Sequence, residues 1–122
     1  NYAGDFPFWL APEQIRLLPV TDEVLGYAEE LQNKLKAAGI RASIDRSGDR
    51  LGKLIRTGEQ MKIPVLAVIG AKEADQGAAS LRSRRDGDLG VIAKERLITA
   101  AQSANQERHA SLCFADNGGI GE

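Results

Sequence analysis

The sequence has little of what metal sites and disulfides are built from. Among its 122 residues there is one cysteine, Cys113, and one histidine, His109. A single cysteine excludes an intramolecular disulfide and any zinc site made of several cysteines. We therefore expect Cys113 to be a half-buried structural thiol and His109 a solvated residue at a helix end. Such cysteine usage predicts a reducing compartment, the cytoplasm or an organelle stroma.

The sequence also lacks a long apolar stretch and an excess of one charge. No hydrophobic run approaches the roughly 20 residues that a membrane-spanning helix needs, and the first residues do not have the pattern of a secretory signal. A net charge of −1 argues against a polycation that coats nucleic acid, so any anion binding must come from a local basic patch. The first residue is Asn1 rather than Met, which suggests a piece of a longer chain.

With 43% hydrophobic and 27% charged residues, the chain predicts one globular domain with a sizeable core. Its apolar patterns predict an α/β fold with three layers, α/β/α, in which three parallel strands of a mixed five-stranded sheet are extended by a hairpin. The predicted strands are Gln14–Val20, Ile40–Ile44, Pro64–Ile69, Gly77–Arg85 and Leu89–Ile92. The predicted helices run from a cap at Thr21-Asp22 to about Ala38 with a stop at Gly39, over Leu51–Met61, and from Lys94 to about Leu112.

The termini are expected to lie outside the core. Residues 1–12 are rich in aromatic residues and proline and are interpreted as a docked linker, and residues 113–122 as a flexible tail. The domain itself is expected to span residues 13–112. In its second helix the residues predicted to face inward are Leu51, Leu54, Ile55 and Met61.

Two basic clusters are candidates for binding an anion such as nucleic acid. A parallel sheet could bring both near the carboxyl ends of its strands, where open α/β sheets bind ligands. Arginine offers bidentate contacts and a planar face for stacking on bases. The alternative is that these are solvated surface charges, and that the neighbouring Glu73 forms an ordinary salt bridge rather than accepting from a base. The clusters are Arg46, Arg50, Lys53 and Arg56, and Lys72, Arg82, Arg84 and Arg85.

Catalytic patterns are absent. The stretch from Gly48 to Leu54 departs from a phosphate-binding loop in its glycine spacing, and Leu54 stands where such a loop needs Ser or Thr for Mg²⁺. The glycines at 118–121 follow no predicted strand, so they are not a dinucleotide-binding motif. We predict no catalytic residues and no metal ligands in this chain.

Many landmarks along residues 1–100 together resemble the C-terminal anticodon-binding domain of threonyl-tRNA synthetases, which are class II aminoacyl-tRNA synthetases. Residues 1–7 are similar to the end of the catalytic domain, and the segment Trp9-Leu10-Ala11-Pro12 is similar to the junction between the two domains. The other similar stretches are Leu18–Asp22, Ala38–Arg41, Leu51–Lys53, Ile55–Arg56, Lys62–Pro64, Gly70–Glu73, Arg82–Arg85 and Asp88–Gly90.

The resemblance implies a domain that binds the anticodon loop of threonine tRNA. It implies base contacts for Glu73 and Arg82, a contact near the same loop for Arg56, and phosphate or loop contacts for Arg50 and Lys53. Gly48 stands where bacterial members commonly have an Asn that reads a base, so this contact is in doubt.

The whole enzyme would be a homodimeric threonine–tRNA ligase that uses ATP with magnesium and a zinc ion, none of them bound by this chain. Two alternatives remain. One is a non-catalytic protein that reuses the fold for protein–protein contact or dimerisation, with Tyr2–Trp9 as an adhesive surface. The other, a flavodoxin-like binding domain, rests on architecture alone.

Overall fold

A mixed five-stranded sheet lies at the centre of the fold, as the sequence predicts. The computed structural model describes residues 6–110 and residue 112. The strand order is β2-β1-β3-β4-β5, with β2 and β3 parallel to β1, and with β4 and β5 antiparallel to their neighbours. The elements are β1 (Ile15–Pro19), α1 (Leu25–Ala37), β2 (Ala42–Ile44), α2 (Leu51–Gln60), β3 (Val65–Ile69), α3 (Ala71–Gln76), β4 (Ala78–Ser83), β5 (Gly87–Ala93) and α4 (Lys94–Glu107).

The two faces of the sheet are covered unequally. On one face, Leu17, Ala67 and Leu81 are fully buried in a large core cluster to which α1 and α4 contribute. On the other face, Leu18 and Leu66 form a small second cluster with Leu54 of α2. Helices therefore lie on both faces, as predicted, but in residues 6–110 and 112 a single helix covers the second face.

A close approach between α2 and the sheet depends on Gly58. A Cβ atom at this position would lie 2.5 Å from Cδ2 of Leu66 on β3. Only a glycine lets the helix lie this near without displacing Leu66, because protein interiors leave little free space.

Four residues of α2 were predicted to face inward. Leu54 is buried, which confirms the prediction, and Ile55 is partly buried. The prediction is wrong for Leu51 and Met61, which are 36% and 55% exposed.

The short helix α3 was not predicted from the sequence. It spans six residues, and none of them is fully buried. The backbone N–H of Gly70 donates to Oε1 of Glu73 at 2.9 Å, and Gly77 ends the helix in the left-handed conformation at φ 66°. With only Ala74 packed against the core, the segment carries no apolar stripe from which a helix could be read.

Two helix ends differ from their predicted positions. α4 ends at Glu107 rather than near residue 112, because Arg108 takes the left-handed conformation at φ 59°. His109 therefore lies beyond the helix, with its Nε2 3.0 Å from Oε1 of Glu107. At its start, α1 begins at Leu25 after a 3-10 turn. Thr21 is the N-cap residue of that turn, as predicted, but its side chain makes no capping hydrogen bond.

The segment before β1 takes part in the core. Phe8 is fully buried, and its backbone N–H donates to the carbonyl of Ala110 at 2.8 Å. The buried Gln14 donates to the carbonyl of Phe8 at 2.9 Å, and Arg41 donates through Nε to the carbonyl of Ala11 at 2.9 Å. Phe8 is thus a core residue that the sequence did not reveal. The predictions for Cys113, for residues 1–5 and for the tail fall outside the described residues.

Candidate nucleic-acid interface

The first basic cluster lies in the loop before α2 and along that helix. Arg46 and Glu29 form an ion pair at 2.9 Å in which both side chains are half exposed, and Nζ of Lys53 lies 3.9 Å from Asp49. Arg50 and Arg56 are exposed as well. Exposed ion pairs of this kind contribute little to stability, so these cations can be given to a ligand at low cost.

The second basic cluster is divided between two ends of the sheet. Lys72 and Glu73 follow the carboxyl end of β3, as expected. Arg82 pairs with Leu66, three residues before the end of β3, which corresponds to roughly 10 Å along the strand. The backbone N–H of Arg84 bonds to the carbonyl of Pro64, before β3 begins.

The prediction that the whole cluster could lie at the carboxyl ends is therefore wrong for Arg82, Arg84 and Arg85. The reason is the direction of β4. Because this strand runs antiparallel to β3, its later residues lie at the amino end of the parallel strands. Glu73 and Arg82 accordingly stand at different ends of β4.

The structure brings Arg82 together with α2. The strand register places Arg82 on the same face of the sheet as Leu66, which α2 covers. Its Nη2 lies 3.8 Å from Oε2 of Glu59, the two side chains being 39% and 54% exposed. Arg56 lies three residues before Glu59, so the two are neighbours on the helix surface. Sequence patterns did not reveal this contact, because it depends on the distance between a helix and a strand.

Among the described residues, none covers the whole of the sheet beyond α2. The register sets Val68, Ser80 and Val91 side by side on the face that α2 only partly covers. Val68 and Ser80 are partly exposed, and Val91 is 53% exposed. These three residues form what we call the open sheet face, with Arg82 at one end of it. An uncovered sheet beside an exposed basic helix can receive unstacked bases and their phosphates.

Gly48 lies at the tip of the loop before α2. It has φ +78° and is exposed, and apart from its two chain neighbours no described residue has an atom within 4 Å of the position a Cβ would take. The left-handed conformation suits glycine and asparagine better than other residues, which fits a position where the resembling family commonly has Asn. With glycine at position 48 the loop can keep its left-handed conformation, but it cannot make the contact that an asparagine side chain would make.

Neither a metal centre nor a membrane span is found in the described part of the chain. Within residues 6–110 and 112, no three His, Cys, Asp or Glu side chains are grouped so that they could hold a metal ion. These residues therefore do not fit the zinc that the resemblance assigns to the whole enzyme. No helix among them is long and apolar enough to cross a membrane.

Comparison with known proteins agrees with this geometry. Residues 14–104 match the family model described as the anticodon binding domain. The threonine–tRNA ligase of Synechococcus sp. (strain CC9311) is 85% identical over 122 residues, which is 100% of this chain and 20% of the relative. That of Thermosynechococcus vestitus (strain NIES-2133 / IAM M-273 / BP-1) is 55% identical over 112 residues, 92% of this chain and 18% of the relative.

Solved structures share the fold. The RNA binding domain of threonyl-tRNA synthetase from Cryptosporidium parvum Iowa II has a TM-score of 0.78 and 28% identity, over 84% of this chain and 26% of that one. Prolyl-tRNA synthetase from the same organism has a TM-score of 0.71 over 84% of this chain and 23% of that one. At 23% identity, this second likeness concerns the fold alone.

The chain belongs to the anticodon-binding domain family. Within that family its sequence is of the threonine–tRNA ligase type, as the resemblance indicates. It spans about a fifth of the length of the curated relatives it matches. These findings do not favour the alternative of a non-catalytic protein that reuses the fold.

Proposed function

We propose that this chain reads the anticodon loop of threonine tRNA on behalf of a threonine–tRNA ligase. The single observation that carries the proposal is the 85% identity with a threonine–tRNA ligase over the whole chain. The exposed cations of α2 and its preceding loop, beside the open sheet face, give the proposal a surface on which a tRNA loop can lie.

The proposed roles follow from the chemistry of each group. Arg82 lies against the sheet and donates to a base edge, and Glu73 accepts from a base amino or imino group. Arg56 contacts the same loop from α2, while Arg50 and Lys53 bind phosphates and position the loop. The loop at Gly48 contacts the tRNA through its backbone, since it offers no side chain.

The reaction itself belongs to the rest of the proposed enzyme. Threonylation needs ATP with magnesium and the zinc ion, and we propose that the remainder of the ligase chain binds them. The anticodon contact orients the tRNA so that its acceptor end reaches that other part of the enzyme. We further propose that the whole ligase is a homodimer in the compartment where translation takes place, the cytoplasm or an organelle.

The proposal is tested by binding to a threonine tRNA anticodon stem-loop. Fluorescence anisotropy measures the dissociation constant for this stem-loop and for a copy in which two anticodon bases are exchanged. We expect the exchanged copy to bind at least tenfold more weakly, because each lost base contact costs on the order of 1–3 kcal/mol. Equal affinity for the two loops at every salt concentration would contradict anticodon reading.

A further inference from the structure

The segment that leads into β1, residues 6–12, is fastened to the domain from two sides. On the inner side Phe8 and Ala11 are buried, and the side-chain amide of Gln14 donates to the carbonyl of Phe8. On the outer side Leu10 is 49% exposed, so packing of its side chain does not hold the segment there. The outer side therefore depends on polar contacts to the backbone.

Arg41 makes these contacts. Its Nε donates to the carbonyl of Ala11 at 2.9 Å, and its Nη2 donates to the carbonyl of Trp9 at 3.0 Å. The donors of a guanidinium are fixed in one plane, so a pair of bonds from it sets direction as well as distance. One side chain thus holds the backbone on both sides of Leu10.

The same arginine is tied to the sheet. It directly precedes β2, its backbone N–H donates to Oε1 of Gln14 at 3.0 Å, and Ile15 of β1 pairs with Ala42 of β2. α2 packs on this sheet through Leu54. The direction of the chain at residues 6–12 is therefore fixed relative to the surface that is proposed to bind the anticodon.

Stability alone is a weak reason for this arrangement. The side chain of Arg41 is exposed, and its bond to Trp9 lies at the surface. Such a bond contributes little to the free energy of folding, because water can take the place of either partner. What water cannot replace is the fixed direction that two bonds from one rigid group impose on the segment.

We propose that Arg41 is a positioning residue of the ligase. By holding residues 6–12 it sets the orientation of this domain toward the part of the enzyme that transfers threonine. The inference rests on the proposed function and on the similarity of residues 1–7 to the end of the catalytic domain. Small displacements of reacting groups lower rates strongly. With a loosened segment, a tRNA held by its anticodon would bring its acceptor end to the reaction less often.

The test uses the full-length ligase that contains this chain, with steady-state threonylation of threonine tRNA. In Arg41→Ala we expect kcat to fall about tenfold while the KM for tRNA changes little, because the anticodon contacts are kept. Arg41→Lys should recover part of kcat, since an ammonium group can still donate to a carbonyl. Lys36→Ala, which removes an exposed cation from the nearby end of α1, is the matched control and should behave as wild type.

Three further measurements separate positioning from a loss of structure. Threonine activation without tRNA, followed by ATP–pyrophosphate exchange, should be the same in all four proteins, and so should the Kd for the anticodon stem-loop. Hydrogen–deuterium exchange of peptides that cover residues 6–12 should be faster in Arg41→Ala than in wild type or Lys36→Ala.

The positioning role would be overturned by an unchanged kcat, by unchanged deuterium uptake in residues 6–12, or by a parallel loss of threonine activation or stem-loop affinity in Arg41→Ala. Failure of the proposed function has a different signature. In that case the wild-type ligase would bind the threonine stem-loop and a copy with two altered anticodon bases equally well, and the positioning role would fall with it.

Discussion

Arg82 differs from the other basic residues of the surface in its surroundings. It lies against Leu66, faces the carboxylate of Glu59, and has a buried Nε without a partner in the described part of the chain. Arg50 and Lys53 instead project from the end of a helix into solvent. A partly enclosed guanidinium suits a base edge, and exposed cations suit phosphates.

Replacing Arg82 with alanine should therefore weaken selective binding. We expect Arg82→Ala to lose on the order of 1–3 kcal/mol of binding free energy for the threonine anticodon loop, through lost base contacts. A loop with exchanged anticodon bases should lose much less. Isothermal titration calorimetry checks this, with Arg85→Ala in the neighbouring turn as the matched control. Unchanged affinity for the threonine loop would remove Arg82 from the site.

Glu13 is the residue from which we predict a pH dependence of stability. Burial opposes its ionisation, but hydrogen bonds from Arg16 and from the hydroxyl of Ser43 outweigh this, and the pKa of Glu13 lies below its ordinary value of 4.5. A carboxyl group whose pKa is depressed in the folded state stabilises the fold at pH values above its unfolded pKa. This contribution to stability is lost as the pH falls through the folded pKa.

We thus expect the free energy of unfolding to fall as the pH drops below about 4.5, and to fall less steeply in Glu13→Gln. Urea unfolding between about pH 3 and pH 7 measures both slopes. Glu30→Gln, at an exposed position, should behave as the wild-type chain does. Identical slopes for Glu13→Gln and the wild-type chain would show that this carboxylate does not contribute.

At the scale of elements, α2 combines two tasks. Its inner side packs through Leu54 and Gly58, while its outer surface carries Lys53 and Arg56. The position of the basic groups over the sheet is therefore set by how closely the helix approaches Leu66. Gly58 therefore affects both packing and binding, because its lack of a side chain allows this close approach.

Two glycine substitutions in α2 separate these tasks. Gly58→Ala should lower the free energy of unfolding by about 1–3 kcal/mol, because the new methyl group overlaps Leu66. Gly52→Ala should raise it by up to about 1 kcal/mol, since that position has open space and alanine favours the helix. Thermal and urea unfolding measure both. Equal effects of the two substitutions would contradict the close packing of α2 on β3.

The sequence predicted the secondary-structure elements and the residues of the candidate site to different extents. The apolar run in β3 predicted that strand, because a strand buried on both faces is nearly all apolar, whereas β4 was predicted from its alternation of apolar and polar residues. α3 escaped prediction because one partly buried alanine leaves no periodic pattern. The basic residues were predicted by type, and the resemblance pointed to Arg82. The contact between Glu59 and Arg82 could not be predicted, because it depends on how α2 lies over the sheet.

At the scale of the whole molecule, the net charge of −1 means that nucleic-acid binding depends on a local surface. Phosphate contacts release counterions, so each one steepens the salt dependence of binding. We expect Arg50→Ala to weaken binding of all loops alike and to reduce the slope of log Kd against log salt by about one. Arg96→Ala, which removes an exposed cation from α4, serves as the comparison. An anticodon-selective loss in Arg50→Ala would contradict its phosphate role.

The central claim is that the face carrying α2 and β4 reads the anticodon. The most direct test is an NMR titration of the chain with the threonine anticodon stem-loop, beside a loop with exchanged anticodon bases. We predict that the threonine loop selectively shifts the resonances of Glu73, Arg82 and residues 46–56, and leaves the outer surfaces of α1 and α4 unchanged. Equal shifts with both loops, or shifts centred on α1 and α4, would contradict it.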